Sequence, residues 1–302
     1  MLIKPNKLSE GDTIGILSPS YVLNQVNIQP ALDKLQEKGF KLKIAKNAFK
    51  DTYGYAATPE ERAEDFNSLL SDNEVKMLLF GGGEVCNEIL PLVDFSLISK
   101  NPKIICSYSD STTILNAITS LSGMVTFYGQ SLRTFLNLTD YNYQCFKSAF
   151  CSEAVPVFKS NSVWETIHEG KSEGTLIGGY LINFALMLNG KYLRYDANKK
   201  YILFVEDYIG FSAPAAISKY FSHIEQSGLM NCVTGIIFGY YSKEAAPMLN
   251  GILARLASKY NIPVIKCDDF GHGTNNAIIP IGLNAEIDTA KHSLSFKEQF
   301  VY

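Results

Sequence analysis

Long basic runs are absent from this chain: nowhere do five Lys or Arg stand together, and 27 Lys+Arg against 30 Asp+Glu leave a formal charge of −3. That balance gives nucleic acid or an anionic membrane surface no electrostatic hold, so neither is expected as a partner. Apolar runs of bilayer length are absent too. The most apolar stretch, Thr175 to Gly190, is interrupted by Gly178, Gly179 and Asn183 and falls short of the ~20 residues that a spanning helix needs. It reads as a buried helix. The N-terminus scatters charges where a signal peptide would carry a continuous apolar segment. A soluble, cytoplasmic protein is expected.

Paired cysteine motifs are lacking as well. Cys86, Cys106, Cys145, Cys151, Cys232 and Cys267 form no C-x-x-C, and none has a His at zinc-ligand spacing. Neither a metal site nor a disulfide framework is expected, and the thiols should be reduced, acting mostly as small hydrophobes. The dinucleotide fingerprint G-x-G-x-x-G and the G-K-S/T of a P-loop are missing, which leaves no cofactor to expect and makes a nucleotide-dependent oxidoreductase remote.

What is present is a soluble globular composition, 46% apolar and 19% charged over 302 residues, enough for two domains. The first half alternates strand-like runs with helical ones. TIGILS (Thr13 to Ser18), KLKIA, VKMLLF (Val75 to Phe80) and KIICS (Lys103 to Ser107) read as strands. QPALDKLQEKGF and Ser111 to Leu121 read as helices, and Thr58-Pro59-Glu60-Glu61 is a capping box that opens another, running to about Leu70. This alternation predicts an α/β fold, a parallel sheet covered on both faces, with functional loops at the carboxyl ends of its strands. Residues 151–174 are polar and turn-rich and are taken as a linker between domains 1–150 and 175–302. The second half should hold strands at Tyr201 to Asp207, Thr234 to Tyr241 and Ile262 to Phe270, with helices between them.

Ser109 falls where a strand ends and a helix begins, in Ile104 to Leu115. The first amides of a helix point at such a turn, and the helix dipole favours negative charge there. A hydroxyl so placed can attack a carbonyl while the Asp110 N–H steadies the oxyanion. The G-x-S-x-G consensus of a nucleophile elbow is absent, and helix capping is the plain alternative. Gly81-Gly82-Gly83 follow a strand, so an amide of Gly82 or Gly83 could be a second oxyanion donor. A tight turn explains them equally. Of four histidines, only His272 follows a buried-type strand, and glycines flank it. An orienting carboxylate could be Glu206, Asp207, Asp268 or Asp269, and these segments alone do not choose.

Taken together, the segments resemble the LD-carboxypeptidase family of serine peptidases, including its microcin C-resistance branch. Ser107-Tyr108-Ser109-Asp110-Ser111-Thr112 is similar to the family's (Gly/Ala)-Tyr-Ser-Asp-x-Thr. Gly82-Gly83 through Asn87, Ile89, Leu90 and Pro91 are similar to its Gly-Gly segment with a following Asn and Leu-Leu-Pro, and Gly123 to Gln130 to its G-L-V-T-F-Y-G-P. Ile202 to Asp207 and Asp269 to His272 complete a co-linear match from Thr13 to about Glu286. The resemblance implies Ser109 as nucleophile, His272 as general base, Glu206 as its orienting carboxylate, and amides of Asp110 and of Gly83 or Gly82 as the oxyanion hole. It implies a flavodoxin-like parallel-sheet N-terminal domain and a smaller β-rich C-terminal domain, with the site between them. Ser107 stands where the family usually has Gly and Gln130 where it has Pro. Asp207 to Gly210 lack its acidic and Arg-containing pattern.

Expected substrates are small: muropeptides cut between a diamino acid and D-alanine, or peptidyl-nucleotides, to which Asn87 leans slightly. A homodimer is the expected assembly. A non-catalytic binder on the same frame is the rival, distinguished by tight binding without turnover.

Overall fold

Short aliphatic runs flanked by Gly, Pro and polar residues form the strands of the first half. In the computed structural model, which describes residues 2–302, these are β1 (Thr13–Leu17), β2 (Lys41–Ile44), β3 (Val75–Phe80), β4 (Ile104–Ser107) and β5 (Thr126–Tyr128). The helices among them are α1 (Gln25–Glu37), α2 (Pro59–Ser71), α3 (Phe95–Lys100), α4 (Thr112–Ser122) and α5 (Asp140–Phe150). The capping box at α2 forms as expected: Glu61 N–H donates to Thr58 Oγ1, and Thr58 N–H donates to the Glu61 carboxylate. Asn24 caps α1, which begins four residues ahead of the stretch read as helical. β1 to β5 are all parallel in the order β2-β1-β3-β4-β5, the flavodoxin-like arrangement. β4 and β5 are buried throughout, as central strands covered on both faces should be, while the edge strand β2 is largely exposed.

The second half contains β6 (Glu165–His168), β7 (Lys171–Tyr180), β8 (Tyr201–Glu206), β9 (Val233–Phe238), β10 (Val264–Lys266), β11 (Ile279–Ile281), β12 (Asn284–Asp288) and β13 (Ser293–Phe296). Its helices are α6 (Leu181–Met187), α7 (Pro214–Gln226) and α8 (Ala246–Tyr260). A second sheet has the order β13-β12-β7-β8-β9-β10-β6, parallel at its centre and antiparallel toward both edges. The stretch read as linker is partly structured, since β6 pairs antiparallel with β10. β11 leaves the second sheet altogether and pairs antiparallel with β5, Ile279 opposite Tyr128. All six cysteines are unpaired. No helix among the described residues is long and apolar enough to cross a membrane.

Thr175 to Gly190 is not one buried helix. β7 runs through Tyr180, and only Leu181–Met187 is helical. The cause is Gly178-Gly179, whose φ values of 141° and 132° are incompatible with a helix. A Cβ on Gly178 would lie 1.8 Å from the Phe204 carbonyl oxygen, and one on Gly179 2.6 Å from Thr112 Oγ1 and 3.1 Å from Tyr128 Cε2. These glycines let β7 pass directly over the start of α4 and the end of β5, where the two sheets meet. Gly179→Ala should therefore cost about 2–3 kcal/mol of stability through overpacking and backbone strain, read as a lowered urea midpoint.

Candidate active site

β4 ends at Ser107, Tyr108 is extended, and Ser109 takes a φ of 62° before the chain enters α4 through a short 3-10 turn. A residue with a Cβ rarely occupies this left-handed region, and holding it there costs about 1–3 kcal/mol. The neighbours over-determine the turn. Ser109 N–H donates to Tyr128 Oη at 3.1 Å, and Thr112 Oγ1 donates to the Ser109 carbonyl at 2.7 Å. The buried Asp110 carboxylate accepts from Ser20 Oγ (2.7 Å), Cys86 N–H (2.8 Å) and Asn183 Nδ2 (3.0 Å), tying the turn to the loops after β1 and β3 and to α6. Ser107, in place of glycine, is accommodated: its buried hydroxyl donates to Ser111 Oγ at 2.9 Å.

Ser109 Oγ lies 2.8 Å from His272 Nε2, although 163 residues separate them. His272 Nδ1 lies 2.8 Å from Glu206 Oε2, and the His272 backbone N–H donates to the same oxygen at 3.2 Å. Glu206 is fully buried at the end of β8, and its Oε1 accepts from Tyr128 Oη at 2.5 Å. Gly271 permits this approach: its φ is 106°, and a Cβ there would lie 2.7 Å from Glu206 Cγ and Oε2. None of the other three acidic candidates bonds the imidazole, although Asp207 stays within electrostatic range of it. Asp269 accepts from Trp164 Nε1 and Asn161 N–H, Asp268 faces Lys266, and Asp207 accepts from its neighbour's amide. Among the remaining histidines, His168 is in β6, His223 in α7, and His292 contacts Thr166.

The rings of Tyr108, Tyr180 and Tyr208 surround His272, with centroids 5.4, 4.8 and 5.6 Å away. This enclosure pulls the imidazole pKa down. The charge of Glu206 and its hydrogen bond, together with Asp207, pull the other way and prevail, so His272 holds its proton to a higher pH than the ordinary 6.5. Burial, aided by the Glu206 charge, pushes the Asp207 carboxyl up to about 7.

Gly82 and Gly83 sit at the same sheet edge, against the loop after β1, where Gly82 carbonyl accepts from Tyr21 N–H. A Cβ on Gly83, φ 154°, would lie 2.0 Å from Ser20 Oγ. Ser20 thus links this loop to Asp110, while no hydrogen bond among the described residues joins either glycine to Ser109. Exposed Arg133 lies beside Gly82 and acts electrostatically on Tyr108 and His272. Gln130 is buried and donates to the Asn142 and Asn276 carbonyls, clamping α5 to the segment after His272. Tyr128, Ser20 and Asn183 escaped the sequence reading. Tyr128 alone carried a usable signal, as the polar end of a buried strand run.

Residues 14–129 match the LD-carboxypeptidase N-terminal domain and residues 173–287 match the LD-carboxypeptidase C-terminal domain. The chain belongs to the LD-carboxypeptidase family. Members of this family are serine-type hydrolases. The chain is 30% identical to a probable murein peptide carboxypeptidase of Bacillus subtilis, covering 95% of this chain and 92% of that one. It is 28% identical to the microcin C7 self-immunity protein MccF of Escherichia coli, covering 97% and 95%. The structure of MccF in complex with aspartyl sulfamoyl adenosine superposes with a TM-score of 0.87 at 26% identity, covering 99% of this chain and 100% of that one.

Within this LD-carboxypeptidase frame the imidazole electrostatics are open to direct measurement. His272 should titrate above the ordinary imidazole value by NMR, and Glu206→Gln should bring its midpoint below that of the wild type, because burial is then opposed only by the weaker pull of Asp207.

Proposed function

We propose that the protein hydrolyses an amide bond in a small peptide through an acyl-enzyme on Ser109. The run of 2.8 Å contacts from Ser109 Oγ through the imidazole to Glu206 carries this reading. His272 Nε2 takes the hydroxyl proton as Oγ attacks the scissile carbonyl carbon, and Glu206 steadies the imidazolium formed. Amides of Asp110 and of Gly83 or Gly82 face the developing oxyanion. Collapse breaks the C–N bond, and His272 gives the proton to the leaving amine. Water then repeats the sequence and frees the acid.

A carboxypeptidase has to hold the substrate's terminal carboxylate. Arg133 suits that role, being exposed, beside Gly82, and within electrostatic range of His272. A muropeptide ending in D-alanine fits this arrangement. A peptidyl-nucleotide is the second reading, favoured by the exposed ring of Phe211, which packs on Tyr208 as Tyr208 packs on His272 and offers a stacking face for a base.

Mass-spectrometric product analysis with a D-Ala-terminated tetrapeptide and an aminoacyl-sulfamoyl adenosine separates the two. Binding of either without any cleavage would identify a non-catalytic binder and sink the proposal. Ser109→Ala should lower kcat by roughly 10⁴- to 10⁶-fold with an unchanged melting temperature. Arg133→Ala should raise KM for the free-acid peptide about 10- to 100-fold, the loss expected for one charge-assisted contact, and leave binding of the C-terminal amide unaltered.

A further inference from the structure

Tyr128 ends β5 opposite Ser107 of β4 and is completely buried. Its hydroxyl has two partners, one on either side of the Ser109–His272–Glu206 chain. It accepts from the Ser109 backbone N–H at 3.1 Å and donates to Glu206 Oε1 at 2.5 Å. Burial first, and the Glu206 charge after it, keep the phenol pKa well above its ordinary value, so the single hydroxyl proton stays on Tyr128 and points at the carboxylate.

We propose that Tyr128 is a positioning residue of the reaction, closing the triad into a ring by fixing Glu206 from one side and the backbone of Ser109 from the other. The proposal rests on the acyl-enzyme reading of this site. It has three consequences. Glu206 has donors on both oxygens, Tyr128 on Oε1 and His272 on Oε2, so the carboxylate cannot rotate away from the imidazole. The Ser109 amide is occupied, which withdraws it from the oxyanion site and leaves that work to Asp110 and the glycine loop. And because β5 belongs to the first sheet and β8 to the second, one hydroxyl holds the nucleophile's strand in register with the strand that carries the orienting carboxylate.

The test is Tyr128→Phe in the full chain, assayed on whichever of the two substrates is cleaved. Expected are a roughly 10- to 100-fold fall in kcat, the effect of one hydrogen bond to a charged group, and little change in KM. The acid limb of the pH–rate profile should move to higher pH. Glu206, with one donor fewer, pulls harder on the imidazolium, so His272 stays protonated further up the scale. Asp207, Arg133, Tyr108, Tyr180 and Tyr208 also face His272 and are unchanged in this variant, so the movement belongs to Tyr128. The His272 NMR titration should shift in the same direction. Incorporation of 3-fluorotyrosine at 128 retains the ring and sharpens the donor, and should move both readouts the opposite way, which keeps the proposal testable should Tyr128→Phe fold poorly. A wild-type kcat and acid limb in Tyr128→Phe would overturn it. So would a fall in kcat with neither the limb nor the titration displaced, since that is what lost packing alone produces. Failure of the underlying acyl-enzyme reading registers elsewhere, as turnover surviving in Ser109→Ala.

Discussion

Everything at the candidate site depends on how closely β7 lies on α4. Ser109 belongs to the first sheet, His272 and Glu206 to loops and strand ends of the second, and the 2.8 Å approach of serine to imidazole is set by the junction. Two hydrogen bonds lock that junction: Tyr180 N–H to Thr112 Oγ1 and Asn116 Nδ2 to the Gly178 carbonyl, each at 2.8 Å. Each contributes only about 1 kcal/mol to stability. Their larger effect is on geometry, because reacting groups displaced by 1 Å lose on the order of a hundredfold in rate.

Against this stands the strain at Ser109. A left-handed serine is unfavourable by itself, and it persists because Asp110, Thr112 and Tyr128 hold the peptides on both sides. The Asp110 side chain serves this purpose. Its carboxyl is buried, and burial raises its pKa despite three donors. The same side chain gathers the loops after β1, β3 and β4, so the turn, the glycine loop and Ser20 move as one piece.

Four of the parallel strands of the first sheet and the elbow position of Ser109 were legible because both are local: aliphatic runs, a capping box, a hydroxyl at a strand end. His272 stood out among few histidines for its glycine flanks. The choice of Glu206 over Asp207, Asp268 and Asp269 was not legible from the residues alone. It depends on the backbone turn at Gly271 and on pairing between strands far apart in the chain. β7 was misread for a related reason. Gly178-Gly179 within an apolar stretch are neutral to a reading of hydrophobicity, and only the presence of α4 and Phe204 on either side explains them. β6 and β11 are short segments whose partners, β10 and β5, lie about a hundred residues or more away, beyond any local signal.

The excursion of β11 bears on how far the two sheets can part. The chain leaves β10, passes through the His272 loop, and at once joins the edge of the first sheet beside Tyr128. The loop is therefore stitched at both ends, to a different sheet at each. A clamshell opening that swung one sheet from the other would have to unzip β11 from β5 or stretch the very segment that holds the imidazole. Access to the site is then a matter for side chains and rim loops, not for a hinge. By the same stitching, neither half can be cut out as a complete module, since the first sheet borrows its last strand from the second half of the chain.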